Sequence, residues 1–234
     1  MYEIDFKKPV HVHFIGIGGI SMSGLAEVLL DRHFPVSGSD RAESDLTKHL
    51  TELGAHIRYP QKAENITDDI DCVVYTAAIH PDNPEFKAAQ EKHIPMLTRA
   101  QLLGEIMKHY PNSVAVAGTH GKTTTSSMIS QIMLEGSKDP TLSIGGIFKA
   151  INSNIHVGNS DLFLTEACEY TNSFLSLYAK YSVILNVEAE HLDFFKDIND
   201  IRRSFHQFAA DTKADGAVII NDEIPDYKEL VDGI

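Results

Sequence analysis

Ala115 to Thr125 reads AVAGTHGKTTT. Val114 to Ala117 is a run of small and β-branched residues that suits a buried strand. Met128, Ile129, Ile132 and Met133 then recur at helical spacing as far as Gly136. A strand, a glycine-framed turn carrying Lys-Thr and a helix start commit the chain to an α/β architecture with a phosphate cradle. Backbone N–H groups and the positive end of the helix dipole face the anion, the lysine adds a point charge, and a hydroxyl reaches Mg²⁺. The spacing narrows the class. The common loop is G-x-x-x-x-G-K-[ST], but the position six before Lys122 is Val116. The cradle here is the shorter Gly118, Thr119, His120, Gly121, Lys122, Thr123, Thr124, and it is read as an ATP site. A solvated Gly/Thr turn before an ordinary helix would not need that ordered set.

Composition limits the partners. The chain has 234 residues, 43% hydrophobic and 23% charged, which is ordinary globular usage. A net charge of -13 argues against a nucleic-acid or anionic-membrane surface, which needs clustered Lys and Arg. No apolar run reaches transmembrane length, and MYEIDFKKPVHVHF lacks the n- and h-regions of a signal peptide, so a cytoplasmic location is expected. Two cysteines, Cys72 and Cys168, cannot form a disulfide framework, and both are read as packing residues.

Strand-like and helix-like segments alternate along the chain. Strands are expected at His11–Ile15, Phe34–Gly38, Asp71–Ala77, Ile94–Leu97, Val114–Ala117, Leu142–Ile144, Asp161–Thr165, Tyr181–Val187 and Ala217–Asn221. Helices are expected after Gly16, over Ser44–Leu53, Pro84–His93, Arg99–His109 and Ile198–Ala210, after the phosphate loop, and from Ile224. Continuous apolar strands in β-α-β order imply parallel sheets with helices on both faces. The Tyr110-Pro111-Asn112 break divides the chain into two domains, 1–110 and 111–234, the first Rossmann-like and the second a P-loop-type α/β domain.

The first half opens with HFIGIGGISMSGLAEVL. Gly16 and Gly18 follow a strand and precede a helix, and Asp40 stands a little over twenty residues on, the layout of a dinucleotide-binding fingerprint. Ser21 replaces the third glycine, while Gly19 and Gly24 are additional. The reading is a diphosphate at this helix start with Asp40 near a ribose or base; glycines serving only a tight turn are the alternative. In the second half, LFLTEACEYTNSF places Glu166 at a strand end, where a carboxylate commonly completes the Mg²⁺ site of a phosphate loop. ILNVEAEHLDFF gathers Asn186, Glu188, Glu190, His191 and Asp193 beyond another strand.

GIGGISMSGLAEVL, VSGSD, AAIHPDNPE, AGTHGKTTT, TEACEYTNSF and NVEAEHLD, in this order, resemble the Mur ligase family from about His11 onward. His120 inside the loop points to the branch that adds L-alanine or to the related murein peptide ligases, and EACEYTNSFL fits the alanine-adding branch better. The resemblance implies transfer of the ATP γ-phosphoryl group to the carboxylate of UDP-N-acetylmuramate, followed by attack of the L-alanine amine on the acyl phosphate. It implies Lys122 on the β/γ-phosphates, Thr123 and Glu166 on Mg²⁺, and His191 near a second metal. It also implies Gly16, Gly18, Gly19 and Ile20 under the UDP diphosphate, with Asp40, Thr76, Ala77 and Ala78 contacting the nucleotide. Ser21 and Glu190 depart from the family pattern, where glycine and aspartate are usual. The family also carries a third, C-terminal domain that nothing here matches. A fragment that does not ligate by itself is therefore expected.

Two other readings remain at this point. The first glycine loop alone would suit an NAD-dependent oxidoreductase, and the phosphate loop alone a nucleotide-binding module without ligation chemistry.

Overall fold

The computed structural model describes residues 2–234 and divides into two compact units, Met1–Glu105 and Ile106–Ile234. In the first unit, β1 (Val12–Ile15), α1 (Ile20–Asp31), β2 (Val36–Ser39), α2 (Asp45–Glu52), β3 (His56–Arg58), β4 (Cys72–Tyr75), α3 (Pro84–Glu91) and β5 (Met96–Thr98) follow in turn. α4 (Arg99–Lys108) runs across the division between the units. The five strands form one parallel sheet in the order β3-β2-β1-β4-β5. The order reverses at β1, so the crevice beyond β1 and β4 is the edge where ligands collect in such sheets. Helix starts follow local chemistry. Ser44 caps α2 in a reciprocal box with Thr47, and Asn83 caps α3 just before Pro84.

The second unit contains β6 (Asn112–Ala117), α5 (Lys122–Glu135), β7 (Thr141–Phe148), β8 (Ser153–His156), β9 (Leu162–Ala167), β10 (Tyr181–Ile184), α6 (Ile198–Ala210), β11 (Ala217–Ile220) and α7 (Tyr227–Leu230). Its six strands run β11-β10-β6-β9-β7-β8. The sheet is mixed, which corrects the all-parallel expectation: β7 turns back on β8 in an antiparallel pair with a register shift between Ser143 and Phe148. Neither β3 (HIR) nor β8 (SNIH) carries an apolar run, so periodicity passes over both.

The helix expected after the phosphate loop is α5, and its apolar residues divide, with Ile129 packed against the core of the sheet. Met128 and Ile132 are 62% and 71% exposed, whereas Ser126 and Ser130 are fully buried. The helix lies against β7 and β9 with its small residues inward. Ser126 Oγ donates to Glu166 Oε1 and Ser130 Oγ to the Ser126 carbonyl, so the buried hydroxyls are satisfied. The cysteines separate as well. Cys72 is buried in β4, but Cys168 is exposed rather than packed.

Candidate functional site

In the second unit β6 delivers its C-terminal end between β9 and β10, and the phosphate loop begins there. Gly118 has φ +144°, and a Cβ at this position would stand 3.0 Å from Leu185 Cβ and 3.2 Å from the Asn186 nitrogen. Only glycine accepts both that conformation and that approach. Asn186 clamps the loop: its backbone carbonyl accepts the Thr119 N–H, its side-chain oxygen accepts the His120 N–H at 2.7 Å, and its amide donates back to the His120 carbonyl at 3.0 Å. Thr119 Oγ accepts the Glu188 N–H at 2.9 Å. Gly121, with φ +81°, is the N-cap of α5, and Lys122, Thr123 and Thr124 form its first turn.

Two side-chain groups meet at this helix start. In the first, Thr123 Oγ donates to Glu166 Oε2 at 3.0 Å, while Glu166 Oε1 accepts from Ser126 Oγ and from the Gly145 N–H. The separation suits magnesium, because neighbouring ligands of an octahedron with bonds of about 2.1 Å lie roughly 3 Å apart. An all-oxygen donor set fits the same hard cation.

In the second group, Lys122 Nζ donates to the Gly118 carbonyl and to Glu169, with Oε2 at 2.9 Å. Glu169 is 3% exposed. His191 Nε2 is 3.7 Å from Glu169 Oε1 and 4.0 Å from Glu190 Oε2. One ligand atom from each of Glu169, Glu190 and His191 falls within 4.8 Å of the others, a donor set that could hold a cation. Thr123, Glu166 and His191, read from sequence as one metal cluster, are thus distributed over two groups joined through the consecutive residues Lys122 and Thr123.

The sequence pattern does not single out Glu169. Its signal is an acid three residues beyond Glu166, past the strand end, but only the chain's turn there aims it at Lys122. That turn places Thr171 and Asn172 in the left-handed region, at φ 55° and 57°, and His191 also has φ 55°. Such conformations in non-glycine residues persist where surroundings enforce them, and they gather at functional sites. Here the surroundings are Phe174, fully buried and stacked on Phe208 of α6 at 4.9 Å, and the Ser204 hydroxyl donating to Asn172. Tyr170 stacks 4.6 Å from His191 and donates its hydroxyl to Asp193, and that hydrogen bond raises the phenol pKa.

In the first unit, Gly16 (φ +83°), Gly18, Gly19 and Ile20 form the β1–α1 turn, with Gly19 as the helix N-cap. Asp40 is taken up by the loop itself: its Oδ2 accepts the Gly18 N–H at 2.7 Å. A Cβ on Gly18 would come 2.8 Å from that oxygen. Thr76, Ala77 and Ala78 follow β4 on the other side of β1, where Thr76 Oγ accepts the Ala78 N–H and Ile79 reaches toward Gly16. The departure at Ser21 has a partner, since its hydroxyl accepts from Arg99 at 3.1 Å.

A parallel-sheet unit with a glycine turn, followed by a unit whose phosphate loop carries a Thr–carboxylate pair, defines a nucleotide-handling α/β protein. Comparison makes the class specific. The Mur ligase family catalytic domain matches residues 11–111 and the Mur ligase middle domain residues 116–233, and the chain belongs to this family. It is 64% identical over 234 residues to a UDP-N-acetylmuramate–L-alanine ligase of Agathobacter rectalis and 60% identical over 228 residues to that of Lachnospira eligens. It covers 51% and 50% of those proteins, so it spans about half the length of the curated relatives it matches. Among solved structures, it resembles the UDP-N-acetylmuramate–alanine ligase of Thermotoga maritima (TM-score 0.79, 31% identity, 95% of this chain and 51% of that one). It also resembles the UDP-N-acetylmuramate:L-alanyl-γ-D-glutamyl-meso-diaminopimelate ligase of Neisseria meningitides (TM-score 0.83, 26% identity, 96% and 75%).

Proposed function

We propose that this chain supplies the nucleotide-handling half of an ATP-dependent ligase that joins L-alanine to the carboxylate of UDP-N-acetylmuramate, a step of cytoplasmic peptidoglycan precursor synthesis. The observation that carries the reading is the phosphate loop with its Thr123–Glu166 pair, set in a chain 64% identical throughout to a ligase of that name. The murein peptide ligase alternative rests on a solved structure at 26% identity, and the nearer sequence relatives favour the alanine-adding branch.

The residues divide the work. Gly118 to Thr124 present backbone N–H groups and the α5 dipole to the triphosphate, with Asn186 holding the loop in shape. Lys122 brings its charge to the β/γ-phosphates, and Glu169 keeps that ammonium at the loop. Thr123 and Glu166 would hold Mg²⁺, which neutralises charge on the transferring phosphoryl group; Glu169, Glu190 and His191 would hold a second cation. Gly16, Gly18, Gly19 and Ile20 would seat the UDP diphosphate, with Asp40 fixing the loop and Thr76, Ala77 and Ala78 bordering the nucleotide. No helix of the described residues is long and apolar enough to cross a membrane.

The test is calorimetric. The protein should bind Mg·ATP and, separately, UDP-N-acetylmuramate. Glu166→Ala should weaken Mg·ATP about tenfold or more and leave the UDP-sugar affinity unchanged. Binding of NADH with no binding of UDP-N-acetylmuramate would reassign the first unit to a dehydrogenase, and Mg·ATP affinity indifferent to Glu166→Ala would remove the proposed metal site.

A further inference from the structure

Glu169 has two claimants, the Lys122 ammonium and the cation that Glu169, Glu190 and His191 could hold, and it cannot serve both at once. Its Oε2 and Oε1 accept from Lys122 Nζ at 2.9 and 3.2 Å. The same Oε1 faces His191 Nε2 at 3.7 Å within the three-residue donor set. The ammonium has no donor to spare. Besides Glu169 it meets the Gly118 carbonyl at 2.5 Å and the Thr119 carbonyl at 3.3 Å, which accounts for all three of its N–H groups. Lys122 thus lies folded back on its own loop.

While the ammonium stays there, the cation position is closed. Both Glu169 oxygens lie within 3.2 Å of Nζ, so a divalent ion on either would stand beside a like charge. The converse also holds. Glu169 is 3% exposed, and a buried carboxylate stripped of its cationic partner is costly, so it gives up the ammonium only to another cation. A triphosphate in the loop supplies the occasion. To meet the β/γ-phosphates Lys122 must free one of its three donors, and a carboxylate beside an incoming polyanion is the partner that charge repulsion makes it surrender. His191 is already in place to receive the ion, with its ring stacked 4.6 Å from Tyr170.

We propose that Lys122 and a divalent cation hold Glu169 in turn, and that nucleotide binding makes the exchange: the ammonium passes to the phosphates, and Glu169 joins Glu190 and His191 on the ion. The second cation then binds with the nucleotide and not before it, and each tightens the other by the same factor. Because Thr123, the next residue, pairs with Glu166 at 3.0 Å, the first turn of α5 bears on both cation groups. The trigger rests on the ATP reading above; the competition for Glu169 does not.

Mn²⁺ binding, followed by electron paramagnetic resonance, tests this without any turnover. In the absence of nucleotide, Lys122→Met should bind one Mn²⁺ about tenfold or more tighter than the unaltered protein, because no like charge then faces the ion. Adding His191→Ala should abolish that gain. With one equivalent of AMP-PNP, an ATP analogue, the unaltered protein should hold two Mn²⁺ per chain and Glu169→Gln only one. Equal Mn²⁺ affinity in Lys122→Met and the unaltered protein, or the same count in Glu169→Gln as in the unaltered protein, would overturn the proposal. Should Lys122→Met fail to fold, the Glu169→Gln count decides. An analogue that does not bind at all would overturn the ATP reading and the trigger with it, while the Lys122→Met comparison would still decide the competition.

Discussion

Cys72 and Cys168 have the same thiol in opposite surroundings. Cys72 is 0% exposed, and burial, followed by the nearby Asp71 charge, pushes its thiol up to about 12. Cys168 is exposed between Glu166 and Glu169. The thiolate is the reactive form, so a disulfide reagent at pH 8 should label one thiol per native chain and the second only on denaturation. Cys168→Ser should remove native labelling, and a variant that still labels at the original rate would contradict the assignment. The same contrast explains what single residues disclose in sequence. Lys122, Thr123 and Glu166 are legible because a phosphate loop and a strand-end acid have fixed places in an α/β sheet. Glu169 is not, because its meeting with Lys122 depends on two consecutive left-handed residues that no composition signals. Asp40 is legible as a position, yet its carboxylate contact with Gly18 comes from the fold of the turn.

Among the elements, strands carrying apolar runs and helices with caps lie close to where the pattern places them; α6 is Ile198–Ala210, as its spacing indicates. β3 and β8 escape because short polar strands at sheet edges are held by backbone pairing, which leaves no hydrophobic period. α5 misleads in another way. The small residues Ser126 and Ser130 are buried and Ile129 packs against the sheet's core, while Met128 and Ile132 point outward, so helical spacing shows the helix but not which of its apolar residues are covered. Ile132→Ser should therefore change the unfolding free energy by no more than about 0.5 kcal/mol, as for ordinary surface substitutions, when measured by denaturant titration. A loss near the 2–5 kcal/mol of a core truncation would mean that Ile132 is covered rather than exposed. The phosphate loop is less tolerant. Gly118→Ala forces a Cβ against Leu185 at a φ of +144°, and should cost about 1–3 kcal/mol and lower Mg·ATP affinity at least tenfold. Unchanged stability and affinity would mean that the loop adapts.

At the scale of the whole molecule, each compact unit has its own sheet, its own core and its own glycine turn. Alternating strand and helix patterns make that division legible, but its exact place is blurred. The Tyr110-Pro111-Asn112 break looks like the boundary in sequence, while contacts divide the chain at 105/106, inside α4. A helix whose chain runs through a division has no residue that marks it. Two turns in two compact units lead to a ligand-specific prediction. A ligand stabilises the state it binds by RT ln(1 + [L]/Kd), about 2.7 kcal/mol at a hundredfold excess over Kd. Native-state hydrogen exchange read strand by strand should then separate the two ligands. UDP-N-acetylmuramate should slow exchange in β1, β2 and β4, whose ends carry the Gly16–Gly19 turn, Asp40 and the Thr76–Ala78 segment. Mg·ADP should slow exchange in β6, β9 and β10, which carry Gly118, Glu166 and Asn186 at or just beyond their ends. Protection of β6, β9 and β10 by the UDP-sugar, with β1, β2 and β4 unaffected, would exchange the proposed roles of the two units.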